Sequence, residues 1–283
     1  MLRRFEVHRA TSVEEAIDLR VQYGDDAAIY AGGTELLMAM KLGVARWAHL
    51  IDVKPIASLR GVQVTDDHIT IGATTTHWEL ERDATIGQAL PAFARLEANV
   101  ANVRVRAVGT LAGNLAFAEP HADPPALLMA LGAQVVLQGQ RGARALTIDD
   151  FITGMYETAL APDEVVVRID IPTPPANARA AYVKFQILER PSVGLAAVAV
   201  VTDGRFVGAP AFVVGAVDEK PRRVPTVDLA GATVADTQTA DALAEAARRA
   251  VDPVADLAGA ADYKSHLVGV FARRALASLA EAA

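Results

Sequence analysis

Two short segments of this chain concentrate groups able to hold a ligand without reacting with it. AGGT, residues 31–34, sets Gly32 and Gly33 between two apolar runs, AAIYA (27–31) and ELLMAMKLG (35–43). VGTLAGNLAFAEPHADPP, residues 108–125, gathers Gly109, Thr110, Gly113 and Asn114 ahead of an acidic turn. Glycine lets a phosphate approach the backbone N–H groups where a Cβ would obstruct it, and hydroxyl and amide groups hold phosphate and sugar oxygens. Each segment by itself also fits a plain structural turn. Neither matches G-x-G-x-x-G within a Rossmann unit or G-x-x-x-x-G-K-[ST], so a dinucleotide bound here needs another fold. Asp123, directly before Pro124 and Pro125, has two readings: an N-cap with proline in the first turn, or a carboxylate that accepts from ligand hydroxyls.

Other chemistries find less support. The histidines His8, His49, His68, His77, His121 and His266 never fall into H-x-x-x-H or H-E-x-x-H spacing, and no metal site is expected in this chain. The absence of cysteine excludes disulfides, thiolate metal sites, cysteine nucleophiles and a cysteine-held iron–sulfur cluster within this chain, so any such cluster belongs to a partner. There is no G-x-S-x-G elbow, and Ser192 has no base visible in the sequence. Glu119 and His121 read as loop residues, and Trp47 and Trp78 as packing. A net charge of -7 argues against a nucleic-acid footprint. No run reaches the roughly 18–20 apolar residues of a membrane span, and the start, MLRRFEVHRA, carries no secretory h-region. The expectation is a cytoplasmic protein, at most peripheral to a membrane.

The elements that must position these groups mix helix and strand without a regular βαβ beat. Ser12 with Glu15 reads as a capping box for a helix that stops at Gly24. AAIYA reads as a short buried strand and ELLMAMKLG as a helix ending near Gly43, which puts the glycine pair at a strand-to-helix junction. HLIDV (49–53), HITIGATTT (68–76), GAQVVLQG (132–139) and VVVRIDIP (165–172) read as strands, and PAFARLEANVAN (91–102) as a helix. The Pro-rich IPTPPANAR (171–179) reads as an extended linker and domain boundary. Beyond it, GLAAVAVVT (194–202) and APAFVVGAV (209–217) read as strands and the Ala-rich tail from about 238 to 281 as helical, giving a sheet with helices packed on it.

On these residues the chain resembles the FAD-binding medium subunits of the molybdenum hydroxylase family, of the aerobic carbon monoxide dehydrogenase and xanthine dehydrogenase type. The similarity runs through AGGTELL, KLGVARWAHLIDV, ITIGATTTHWELE, VRAVGTLAGNLAFAEPHADPPALLMALGA, DDFITG, TALAPDEVVVRIDIP, YVKFQILERPSVGLAAVAV and DYKSHLVGVFARRAL. The resemblance implies an α+β protein. Residues 1–174 would be a two-subdomain FAD-binding fold of the vanillyl-alcohol-oxidase/PCMH type, with subdomains of about 1–56 and 57–174, and 178–283 a C-terminal α+β domain. It further implies that Ile29, Tyr30, Ala31, Gly32, Gly33, Thr34, Glu35 and Leu36 form a first FAD loop and Thr110, Leu111, Ala112, Gly113 and Asn114 a second. Asp123 would act on the cofactor, with Val100 and Lys184 beside it.

The implied partners are a large subunit with the molybdenum cofactor and a small subunit with two iron–sulfur clusters, in a dimer of heterotrimers. FAD would be noncovalent and would pass electrons to a terminal acceptor. Part of the tail surface, with Tyr263, His266, Arg273 and Arg274, would face partner subunits. Three departures stand out: Ala112 replaces a glycine of the second loop, no aromatic stands within ERPSVGLAA where some relatives stack a tyrosine on the flavin, and Glu35 sets a negative charge near a diphosphate. Were position 112 to need positive φ, alanine would strain it. The alternatives are an assembly or scaffold subunit with a weakened flavin site, and a stand-alone FAD oxidase.

Overall fold

The computed structural model describes residues 2–187 and 189–281, and three main sheets carry its architecture. The first comprises β1 (Glu6–Arg9), β2 (Ala27–Tyr30) and β3 (His49–Asp52), all parallel, with β3 in the centre. Helix α1 (Val13–Tyr23) and helix α2 (Leu36–Leu42) make the crossovers. The first 52 residues therefore do keep a βαβ beat. It escapes the sequence because β1, EVHR, is a polar edge strand with little buried surface. The Ser12 hydroxyl accepts from the Glu15 N–H as expected, but the Glu15 carboxylate reaches Thr11 instead of closing a reciprocal box on Ser12. Gly24 at φ 52° and Gly43 at φ 77° end the two helices.

The second sheet is antiparallel, in the order β4 (Val62–Val64), β5 (His68–Gly72), β10 (Val165–Pro172), β6 (Gln134–Gly139), β7 (Gly142–Thr147). A small hairpin, β8 (Ile152–Gly154) with β9 (Glu157–Thr158), precedes β10. Between β5 and β6 run α3 (His77–Arg82), α4 (Ala84–Ala89), α5 (Pro91–Glu97), α6 (Val103–Arg106), α7 (Leu111–Phe117) and α8 (Pro124–Ala130), and α9 (Ile148–Phe151) follows β7. Among the elements expected in this stretch, two come out markedly shorter. The helix from Pro91 stops at Glu97, and the strand from His68 stops at Gly72, because Thr76 leaves the sheet to cap α3 in a complete capping box with Glu79.

The third sheet pairs β11 (Ala178–Gln186), β12 (Pro191–Thr202), β14 (Ala211–Gly215) and β15 (Arg222–Val224), with β13 (Arg205–Phe206) on β12. Helices α10 (Thr237–Arg249) and α11 (Ala261–Glu281) cover one face, burying Leu243, Ala247, Val268, Phe271 and Leu276. The Ala-rich tail is thus two helices. Pro253 cannot continue the first, and the segment instead donates from Asp252 N–H to Asp218 and from Val254 N–H to the Val217 carbonyl. The Pro-rich stretch is a tight turn, closed by the Ala178 N–H on the Pro175 carbonyl, rather than an extended linker. Strand β11 went unseen in the sequence because its burial does not alternate cleanly.

Helix α8 joins the second and third sheets. All its residues are buried, and it packs on both β12 and β14. Each fully buried leucine there, such as Leu127 and Leu128, is worth about 1.5–3 kcal/mol. The position of Asp123 at its start is fixed accordingly.

Candidate functional site

The two glycine segments meet. A Cβ on Gly32 would collide with the Val108 carbonyl oxygen and lie 2.7 Å from Gly109 Cα, and one on Gly109 would sit 3.6 Å from Thr34 Cγ2. Gly32 is therefore required by backbone-to-backbone contact between the loops. Gly33, at φ 69°, is required by a left-handed turn that leads β2 into α2. That accounts for two adjacent glycines inside an apolar stretch. Among the described residues, the N–H groups of Gly32, Gly33, Thr34 and Glu35 donate to no protein acceptor. Such consecutive free donors form a cradle for an anion.

The second segment is held as firmly. Thr110 caps α7 by accepting from the Gly113 N–H at 3.1 Å, and the Leu111 N–H and Gly109 carbonyl pair with Thr75 and His77 across an isolated bridge. Ala112 lies in the first turn of α7 and not among the positive-φ residues, so the alanine there is unstrained. Replacing it by glycine, Ala112→Gly, should cost about 0.5–1 kcal/mol of stability by denaturant unfolding.

Between the two loops opens a cleft of about 410 Å³. Ile29, Ala31, Gly32, Gly33, Thr34, Glu35, Leu36, Val100, Thr110, Ala112, Gly113, Asn114 and Asp123 all line it. Tyr30, Leu111 and Lys184 do not. The Tyr30 ring turns beneath Gly33 and carries Lys54 Nζ 3.6 Å above its centroid. Leu111 is fully buried in the core. Lys184 Nζ donates to Asp123 Oδ2 at 3.0 Å and to the Asn99 carbonyl at 2.8 Å. Asn114 Oδ1 is buried with no partner among the described residues, an acceptor waiting for a donor from the cleft.

Asp123 does not cap α8: its side chain makes no cap bond and instead accepts from Tyr182 Oη at 2.8 Å and from Lys184. Burial pushes its carboxyl above the ordinary value, and Lys184 and Tyr182 offset part of that. Tyr182 in turn needs Gly194, diagonally across on β12 and paired with Lys184, since a Cβ there would strike the phenol oxygen. Gly194→Ala should displace Tyr182 from Asp123, seen as a lower phenol pKa in an ultraviolet titration, because burial and then Asp123 hold that hydroxyl well above its usual range.

Several cleft residues had no signal in the sequence. Arg190 bonds Glu35 at 2.8 Å and Glu119 at 2.5 Å, clamping the first loop to the segment after α7 and neutralising both carboxylates. Glu119 also accepts from Tyr156 Oη at 2.8 Å and contacts His121 Nδ1 at 3.0 Å; His121 Nε2 meets Asp256, which pairs with the fully buried Lys264 on α11. The network runs from the glycine loop to the tail helix, so Glu119 and His121 are more than loop residues. The bonds that join Arg190, Tyr156 and Asp256 to it span 37 to 155 residues and belong to no shared motif. His77, buried beside Glu97 with Nδ1–Oε2 at 2.5 Å, lines the cleft as well. Its only sequence signal is its place after the Thr76 cap. Trp47 both packs on Met40 and Leu50 and lines the cleft, whereas Trp78 sits under the Arg82 guanidinium away from it.

Burial raises the Glu119 carboxyl, but the bonds from His121 and Tyr156 and the charge of Arg190 outweigh it, leaving the group below its ordinary value. Burial and then Glu119 push Tyr156 up to about 12. A carboxyl depressed in the folded state contributes stability above its unfolded value of about 4.5 and loses it as the pH falls through the folded value. Glu119→Gln should therefore flatten the loss of stability on acidification below about pH 4.5 in a chemical-denaturation series.

With this geometry in place, comparison with known proteins identifies the lineage. Residues 3–174 match the family described as the FAD binding domain in molybdopterin dehydrogenase, and residues 190–279 match the CO dehydrogenase flavoprotein C-terminal domain. The chain belongs to the FAD-binding medium subunits of the molybdenum hydroxylase family. This flavoprotein subunit is 31% identical over 274 residues to the carbon monoxide dehydrogenase medium chain of Afipia carboxidovorans, covering 96% of this chain and 95% of that one. It is 32% identical to the nicotine 6-hydroxylase medium subunit of Paenarthrobacter nicotinovorans, over 94% and 93% of the two chains. It superposes on carbon monoxide dehydrogenase from Hydrogenophaga pseudoflava, in a form lacking the Mo-pyranopterin moiety, with a TM-score of 0.95, 34% identity and coverage of 99% and 98%. The α+β class expected of the medium subunits is the class observed, and the chain is an oxidoreductase component. Among the described residues no helix is long and apolar enough to cross a membrane.

Proposed function

We propose that this medium subunit is the electron-transferring member of a molybdenum hydroxylase complex. It would hold noncovalent FAD between the iron–sulfur clusters of a small subunit and a terminal acceptor, while substrate is oxidised at the molybdenum cofactor of a large subunit. The observation that carries the reading is the contact of two glycine loops across one cleft. FAD, when bound, supplies the redox chemistry, which protein groups position and tune. The free N–H groups of Gly32, Gly33 and Thr34 cradle the diphosphate, with Thr110, Gly113 and Asn114 on the opposite flank. The partnerless Asn114 Oδ1 accepts from the ligand, and Asp123, oriented by Tyr182 and Lys184, accepts from a ligand hydroxyl. Arg190 holds the Glu35 charge away from the phosphates. Leu36, Trp47, Val100 and Phe117 supply apolar walls that exclude water.

Residues 1–174 act in this reading as the FAD-binding unit, with subdomains centred on the first and second sheets, and 178–283 as a C-terminal unit that reaches the cleft through Tyr182, Lys184 and Arg190. The relatives differ in the substrate they are named for yet are matched over nearly their full lengths, which supports a shared carrier role. The complex is a cytoplasmic dimer of heterotrimers. Co-purification with the subunits encoded beside this chain should yield one FAD per copy, released by acid into the supernatant and bleached when the complex's substrate is added anaerobically. An assembled complex without flavin would reject the proposal.

A further inference from the structure

The end of the first sheet away from the glycine loop carries a cluster that the sequence spacing conceals. Glu6 and His8 are two residues apart on β1 and so share a face, and the parallel register places Glu6 beside His49 at the start of β3. His8 Nε2 and His49 Nδ1 are 3.0 Å apart, and Glu6 Oε2 lies 3.9 Å from the first and 3.7 Å from the second. Both imidazoles are partly buried, while Glu6 is 73% exposed and, among the described residues, pairs with no lysine or arginine.

The rings are held in place. Tyr23, at the end of α1, stacks on His49 at 3.8 Å and 19° and on His8 at 4.8 Å and 27°. The triangle of donor atoms has a centre about 2.1 Å from each corner, as follows from its three edges. Zinc–nitrogen and zinc–oxygen bonds to histidine and carboxylate measure about 2.0–2.2 Å. Three donors of the kinds zinc prefers therefore already stand at bonding radius around a single point, with the imidazole pair pre-ordered and the carboxylate closing from the solvent side.

We propose that Glu6, His8 and His49 form a divalent transition-metal site of the zinc class, with solvent completing the coordination. Nitrogen and oxygen donors in this mixture suit zinc, nickel or copper rather than magnesium or calcium. Ala27, at the start of β2, is level with His49, whereas AGGT leaves the other end of that strand, so the ion has a structural role: it ties β1 to β3 and, through Tyr23, fixes the end of α1. In its absence the two imidazoles share a proton in a hydrogen bond, which the metal would replace.

Calorimetric titration of the full chain with Zn²⁺ alone tests the assignment. One saturable site is expected, with an upward shift of the thermal midpoint. His8→Ala or His49→Ala should each weaken binding by at least about 100-fold, beyond what loss of a supporting residue causes. His68→Ala, at an exposed histidine elsewhere, should leave it unchanged. Absence of saturable binding in the parent chain, or equal binding after either ligand substitution, would overturn the proposal. Because Glu6 is exposed, Glu6→Gln leaves the fold intact; an unchanged affinity there would overturn the three-ligand assignment even if a histidine variant failed to fold.

Discussion

Substituting Gly32 by alanine is expected to abolish flavin binding while leaving the chain folded. The obstruction is backbone, the Val108 carbonyl and Gly109 Cα, neither of which can swing away as a side chain does. The added methyl must therefore part the loops, at an overpacking cost of about 1–3 kcal/mol. A cradle built from two loops loses its ligand geometry when they separate, and we expect FAD affinity to fall by at least about 100-fold, equivalent to about 2.7 kcal/mol. Gly33→Ala provides the contrast. Its neighbours are the Tyr30 ring and Leu37 Cδ1, which can shift, so the main penalty is the positive φ, about 1–2 kcal/mol. Flavin fluorescence titrations of both variants should rank Gly32→Ala as the more damaging; equal affinity for Gly32→Ala and the parent would show that the loops need not touch.

The second large effect is at Asp123. Asp123→Ala leaves Lys184 as a mostly buried cation and takes away the partner of the buried Tyr182 hydroxyl. Breaking a buried pair on one side costs about 3–5 kcal/mol, because the surviving charge stays desolvated. Denaturant unfolding should report a loss of that size. Removing both charges, in Asp123→Ala with Lys184→Met, should recover much of it, since the penalty lies in the orphaned ammonium. A double variant as unstable as the sum of its parts would mean that the two residues act independently.

How far the sequence was legible follows from where each feature's cause resides. The junction of AAIYA with AGGT was readable because its cause is local: a buried strand, a left-handed glycine and an apolar helix in succession. Asp123 was readable only as a choice between two roles, and the side chains that decide it, Tyr182 and Lys184, come from a strand some sixty residues on. Arg190 and the Glu119 network were invisible for the same reason, taken further. Their meaning lies in bonds spanning 71 residues from Arg190 to Glu119 and 155 to Glu35, and no local pattern encodes a clamp of that kind. The Ala112 departure is harmless for a local reason that the family pattern hides: its position is helical, where alanine is the favoured residue. Helix α11 is plain from its composition, but the Ala-rich composition runs on across the break at Pro253 that makes it a separate helix.

FAD binding by this chain depends on one arrangement, two loops in contact around a shared cleft. Titrating flavin-stripped protein with FAD and following the quenching of flavin fluorescence tests it most directly. The arrangement predicts saturation at one equivalent in the parent chain and none in Gly32→Ala; a parent chain that never saturates, or a Gly32→Ala variant that saturates like the parent, would contradict it.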